Sequence, residues 1–134
     1  VTGVQTCALP ISIILTRHAG KTPMPEGESL PELARHKATL AIYLSVDKLR
    51  DIVAELIPHY GADCPVAVLH RVSWPDQDGV VGTLADIAEQ VATKGFTRTA
   101  LILVGRVIQP EGFPPSYLYS AEHAEWYRAN VSPQ

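Results

Sequence analysis

Four short apolar runs, each too short to make a stable helix, punctuate this chain: residues 12–16 (SIILT), 39–44 (TLAIYL), 65–69 (PVAVL) and 99–104 (TALILV). Runs of this length, rich in Ile, Val and Leu and bounded by turn residues, read as buried strands. Between them the period changes. Leu49, Ile52, Val53, Leu56 and Ile57 recur at helical spacing, and so do Leu84, Ile87, Ala88 and Val91. A chain that alternates the two periods must layer helices on a sheet, so the fold class is α/β. The strand–helix–strand unit over residues 39–69 predicts a crossover to a parallel neighbour. The expectation is therefore one mixed, mostly parallel sheet with flanking helices.

Local punctuation supports that order. Ser29 and Glu32 form a capping-box pattern ahead of a short helix over residues 30–37. Ser45 can cap the next helix, and Gly61 after Tyr60 offers a left-handed stop. Residues 74–79 (WPDQDG) read as a reversal in which Asp78-Gly79 supplies positive φ, with residues 80–82 running back antiparallel. Thr83 and Asp86 cap a further helix that Gly95 ends. The tail from Pro110 is rich in Pro and aromatics, with a short helix expected over residues 121–128.

The bulk numbers exclude several function classes. With 14 acidic and 11 basic side chains, the 134 residues carry a formal net charge of −3, which argues against a general nucleic-acid surface. No apolar run reaches the length that crosses a bilayer. The two cysteines, Cys7 and Cys64, build neither a disulfide framework nor a metal knuckle, which fits a reducing cytoplasm. There is no Gly-rich phosphate loop. The five histidines (His18, His36, His59, His70 and His123) lack ligand spacing, so each reads as a surface or loop residue and no metal is expected. Cys64 reads as a small semi-buried filler, and Asp76 and Asp78 as turn residues. No catalytic side chain stands out. Residues 1–11 (VTGVQTCALPI) share no periodicity with the rest of the chain and look like a translated sequencing adapter, so they do not enter the fold reasoning.

One segment does concentrate chemistry. The loop TRHAGKTPMPEG, from Thr16 to Gly27, follows a strand directly and gathers Arg17, His18 and Lys21 in an otherwise slightly acidic chain. In open α/β sheets, groups just beyond strand C-termini line the ligand crevice. Arginine and lysine there suit carboxylate or phosphate groups. The alternative is a solvated basic loop.

The ordered blocks TRHAGKTPMPE, TLAIYLS, PVAVLHRVSWPD, VGTLADIAEQV and TALILVGRVI, followed by SYLYSAEH, resemble the tetrapyrrole (corrin and porphyrin) methylases. The resemblance runs over residues 12–128, with 129–134 as a tail. The 16–26 loop and the WPD turn are most similar to the branch acting at C(11) of precorrin-4. The resemblance implies two α/β domains with S-adenosylmethionine as methyl donor in the cleft between them, and homodimers. It implies that this chain supplies the C-terminal domain, that a Gly-rich N-terminal domain is absent from it, and that alone it is inactive. Leu44, Val72, Ala100 and Leu101 match positions that wall the cofactor. Thr16, Arg17, Gly20, Lys21, Thr22 and Pro23 match the loop expected to meet the macrocycle. Another precorrin or uroporphyrinogen methylase, or a non-catalytic binding or dimerisation module, remains an alternative.

Overall fold

The computed structural model describes residues 12–109 and 121–131. Residues 12–109 form one compact unit, and helix α4 (Ala121–Asn130) belongs to a second. The first eleven residues and the Pro-rich stretch before α4 lie outside the described residues. The larger unit runs β1 (Ile13–Arg17), α1 (Leu30–Ala34), β2 (Thr39–Tyr43), a 3-10 turn (Val46–Lys48), α2 (Leu49–Tyr60), β3 (Pro65–His70), β4 (Asp78–Thr83), α3 (Ile87–Lys94), β5 (Ala100–Val104) and a second 3-10 turn (Arg106–Ile108).

The strands form one mixed sheet in the order β1-β2-β5-β3-β4. The α/β class is as expected, but the predominance of parallel pairing is not. Only β1 and β2 pair in parallel, while β5 runs antiparallel between β2 and β3 and β4 returns antiparallel along β3. The crossover through α2 therefore reaches a strand of the same direction one place further on. The reason lies in β5 itself. Its five residues are apolar at every position, which fits a strand paired along both of its edges and not one at the edge of the sheet. Nothing local to residues 39–69 reports that a later strand will take the gap.

One face of the sheet packs on the helices. Leu40, Ile42, Val66, Val68, Ile102 and Val104 are fully buried against Leu30 and Ala34 of α1, Ile52 and Leu56 of α2, and Ile87 and Val91 of α3. Each such aliphatic side chain contributes roughly 1.5–3 kcal/mol on leaving water. Tyr60 closes the far end of α2. Its hydroxyl donates to the Ala38 carbonyl at 2.5 Å and ties the helix to the start of β2. Arg106 reaches back to the Tyr60 carbonyl at 3.3 Å and pairs with Asp63 at 3.2 Å, so the helix C-terminus is capped from a distance.

Several local readings hold and several shift. The Ser29 N–H and hydroxyl both donate to the Glu32 carboxylate, at 3.2 and 2.7 Å, and this holds Glu32 below its usual pKa. Helix α1 is shorter than expected, because the backbone at Lys37 turns left-handed. Gly95 ends α3 in the left-handed conformation as expected, its N–H donating to the Val91 carbonyl at 2.9 Å. Gly61 has positive φ but ψ of 150°, a conformation open essentially to glycine alone and not the ordinary left-handed stop. The reversal spans residues 71–77, and Asp78-Gly79 begins β4 instead of forming the turn. Gly79 eases the packing there: a Cβ would sit 3.1 Å from Leu69 Cδ2 and 3.2 Å from the Val68 carbonyl oxygen, close enough to force a small shift. Helix α3 starts at Ile87 because Asp86, not Thr83, is its N-cap, and the Asp86 carboxylate accepts from the Thr83 N–H at 2.8 Å. In α4, the Asn130 side chain donates to the Trp126 carbonyl at 2.7 Å, and the helix extends two residues beyond the expected end.

Candidate functional site

Because β5 is antiparallel to both neighbours, its first residues lie beside the last residues of β2 and β3. Ile102 stands opposite Ile42, Leu101 opposite Leu69, and Ala100 opposite His70. Beyond these ends opens a cavity of about 710 Å³, within the range typical of small-molecule sites. Leu44, Val72, Ala100 and Leu101 all line it, so the four residues assigned to a cofactor wall converge on one surface. Tyr43 and Leu69 extend an apolar floor, Ser45 and Thr99 add hydroxyl-bearing residues, and Asp47 and Arg98 supply charge.

The backbone around this cavity is strained. Five non-glycine residues have positive φ among those described, and four belong here: Leu44 (56°), Arg71 (51°), Ser73 (69°) and Thr99 (55°). For a β-branched residue such as Thr99 that conformation is rare, and each such residue costs on the order of 1–3 kcal/mol. Hydrogen bonds hold the arrangement. The Arg71 N–H donates to the Thr99 carbonyl at 2.9 Å, and the Ser73 N–H to the Gln77 side chain at 2.9 Å. Arg71 also lies 4.2 Å from the centre of a Trp74 ring. Its Nε is 3.1 Å from the Asp76 carboxylate, an ion pair in which the Nε–H is not aligned for a hydrogen bond. Strain clustered at a ligand crevice, over-determined by its surroundings, is a feature of functional sites.

A second depression, of about 440 Å³, lies beside the first. Thr16, Arg17, Met24 and Pro25 line it, together with Tyr43 and Leu44, which also line the larger cavity. Gly20, Lys21, Thr22 and Pro23 do not line it and are exposed on the loop. Leu44 is 88% exposed, standing between the two depressions. A third depression, bordered by Asp47, Lys48, Arg50 and Phe96, contains none of the candidate residues.

The loop is more tightly built than its composition suggests. The Arg17 guanidinium donates to the carbonyls of His18 (3.3 Å), Thr22 (3.1 Å) and Pro23 (3.2 Å), so much of its fork is engaged within the loop. His18 is no surface histidine. Its side chain is 13% exposed, its Nε2 meets Glu55 of α2 at 3.0 Å, and its backbone N–H donates to Ser45 Oγ at 2.8 Å. Ser45, expected as a helix cap, makes no side-chain cap and takes this contact instead, and Glu55 carried no local signal, because their partner lies 27 and 37 residues away. His70 stacks on Phe96 with ring centroids 4.5 Å apart, which assigns it a packing role. Cys64 is fully buried, and burial pushes its thiol pKa up, leaving it unreactive. Among the described residues no three His, Cys, Asp or Glu side chains converge to hold a metal, and no helix is long and apolar enough to cross a membrane.

A family model described as Tetrapyrrole (Corrin/Porphyrin) Methylases matches residues 2–88. The chain belongs to this family. The match starts within the adapter-like segment and ends in α3. Among similar methylases, the precorrin-4 C(11)-methyltransferase of Pseudomonas aeruginosa is 65% identical over 117 residues, which cover 87% of this chain and 47% of that protein. The cobalt-precorrin-4 C(11)-methyltransferase of Methanocaldococcus jannaschii is 46% identical over 118 residues, covering 87% and 46%. The chain thus spans about half the length of the curated relatives it matches. A solved cobalt precorrin-4 methyltransferase of cobalamin biosynthesis superposes with a TM-score of 0.73 at 38% identity, covering 76% of this chain and 43% of that one. The uroporphyrin-III C-methyltransferase of Thermus thermophilus, solved with S-adenyl homocysteine, has a TM-score of 0.61 at 22% identity, covers 76% and 45%, and shares the fold.

Proposed function

We propose that this chain is the C-terminal domain of an S-adenosylmethionine-dependent methyltransferase acting at C(11) of precorrin-4, and that it is inactive without an N-terminal partner domain. One observation carries the reading: Leu44, Val72, Ala100 and Leu101 line a single cavity, which adjoins the Thr16–Arg17 depression through Tyr43 and Leu44. A methyl transfer needs a cofactor and an acceptor held edge to edge, and these two depressions meet at two adjacent residues. The names of the 65% and 46% identical relatives support the choice of precorrin-4.

The residues present fit the donor. An adenosyl group needs an apolar surface with a few polar groups at its margin, and the larger cavity offers Leu44, Leu69, Val72 and Leu101 with Asp47 and Arg98. S-adenosylmethionine, when bound, supplies an electrophilic methyl group on a sulfonium. The chain's own residues then contribute position and exclusion of water, which suits the apolar floor of the cavity. Leu44 separates the two depressions and sets how closely their contents approach. On the acceptor side, Arg17 orders the loop through its carbonyls, while Lys21, exposed on the same loop, offers a cation to the acidic side chains of a precorrin. The complete protein is proposed to be cytoplasmic and homodimeric, with exposed Ile13 and Leu15 on the edge strand β1 available for pairing. The acidic balance favours neither nucleic acid nor an anionic membrane as a partner.

Joining the N-terminal half of a similar methylase upstream of Ser12 tests this. The fusion should transfer labelled methyl from S-adenosylmethionine to precorrin-4, and the chain alone should not. Turnover by the isolated chain, or a fusion that methylates uroporphyrinogen but not precorrin-4, would overturn the corresponding part of the reading.

A further inference from the structure

Ser45 is 2% exposed, and its hydroxyl joins the loop after β1 to the turn after β2. It accepts the His18 backbone N–H at 2.8 Å and donates to the Tyr43 carbonyl at 2.7 Å. Those two contacts bracket the junction of the two depressions. His18 begins the loop that Arg17 holds by its carbonyls, and Tyr43 precedes Leu44, whose φ of 56° turns it out between the cavities. A leucine left to itself would leave that conformation for the extended or right-handed region. The Tyr43–Ser45 bond closes a two-residue turn around Leu44 and opposes that relaxation. The other bond makes the same oxygen the anchor of the loop.

We propose that Ser45 is a positioning residue that couples the macrocycle-facing loop to the Leu44 turn, so that the two halves of the site are set as one unit. Ser45 also borders the larger cavity, but its hydroxyl acts through His18 and Tyr43, which engage its one donor and one acceptor position. The assignment of the two sides to cofactor and macrocycle rests on the proposed function, but the coupling itself does not.

Two measurements on two proteins separate these. On this chain, trypsin cleavage after Arg17 and Lys21 reports the loop, and cleavage after Lys94 serves as an internal control. Ser45→Ala should speed the loop cleavages by about tenfold, the equivalent of one lost hydrogen bond, with Lys94 unchanged. Ser45→Thr, which keeps the hydroxyl, should restore slow cleavage, and Ser45→Cys serves if the extra methyl prevents folding. Equal loop cleavage in wild type and Ser45→Ala overturns the coupling, whatever the protein's function. In the complete enzyme, Ser45→Ala should then raise KM for the macrocycle and weaken S-adenosylhomocysteine binding together. Weaker cofactor binding without faster loop cleavage would mean that Ser45 acts on the ligand directly from the cavity wall and also overturns the proposal. If the loop loosens as expected but Leu44→Ala leaves S-adenosylhomocysteine affinity unchanged, the coupling stands and the functional assignment of the cavity has failed.

Discussion

Replacing Tyr60 by phenylalanine removes one oxygen and keeps the ring, at the point where α2 is tied to the start of β2. Tyr60 is 9% exposed and its hydroxyl donates to the Ala38 carbonyl at 2.5 Å. Losing the donor leaves that carbonyl buried without a partner, which costs about 1–3 kcal/mol. In a domain of about 100 residues that lowers the thermal midpoint by roughly 4–8 °C per kcal/mol. Burial also pushes the Tyr60 pKa from 10.0 up to about 12. A pKa raised in the folded state gives stability that is fully present below the unfolded value and is lost as pH rises through the folded one. The window is therefore pH 10 to 12. Two pH units correspond to about 3 kcal/mol, an order-of-magnitude figure. Urea unfolding followed by circular dichroism at pH 7, and again in steps from about pH 9.5 to 12, measures both effects. The other tyrosines and the lysines titrate in the same range, so the difference between wild type and variant isolates Tyr60. A Tyr60→Phe protein as stable as wild type at pH 7, or one with the same alkaline slope, would refute the reasoning.

Val72→Asp in the complete enzyme should weaken S-adenosylhomocysteine binding by more than about tenfold, because the ligand would bury an unpaired carboxylate; unchanged affinity by calorimetry would place the cofactor elsewhere. Arg17→Lys keeps the charge but cannot reach the His18, Thr22 and Pro23 carbonyls together, so it should raise trypsin sensitivity of the loop along with KM for the macrocycle. A rise in KM with the loop still protected would instead mean that Arg17 grips the substrate directly. Hydrogen bonds from Arg106 and from Lys94 hold the carboxyl groups of Asp63 and Asp78 below their usual pKa. Their stabilisation is present above the unfolded value of 3.8 and is lost as pH falls through the folded values, so Asp63→Asn should flatten the acid slope of stability below about pH 4. An unchanged slope in acid urea titrations would remove Asp63 from that account.

By itself the sequence determined the elements and their chemistry, because those depend on residues within a turn or two of one another. The apolar runs became strands, the 49–60 and 87–94 stretches became helices, and Ser29 with Glu32 and Gly95 acted where their spacing placed them. The ordered blocks also carried the family, and with it Leu44, Val72, Ala100 and Leu101 as a group. What drew those four together was decided only in three dimensions. It required β5 to enter antiparallel between β2 and β3, a pairing between runs separated by some thirty to sixty residues that no local period encodes. The loop shows the same division. Its basic character was legible, but Arg17 turned inward to its own carbonyls, and His18 found Glu55 and Ser45 across the chain. Side-chain type sets what bonds a residue can make; only the packed backbone, by leaving donors and acceptors within reach of one another, decides which of them form.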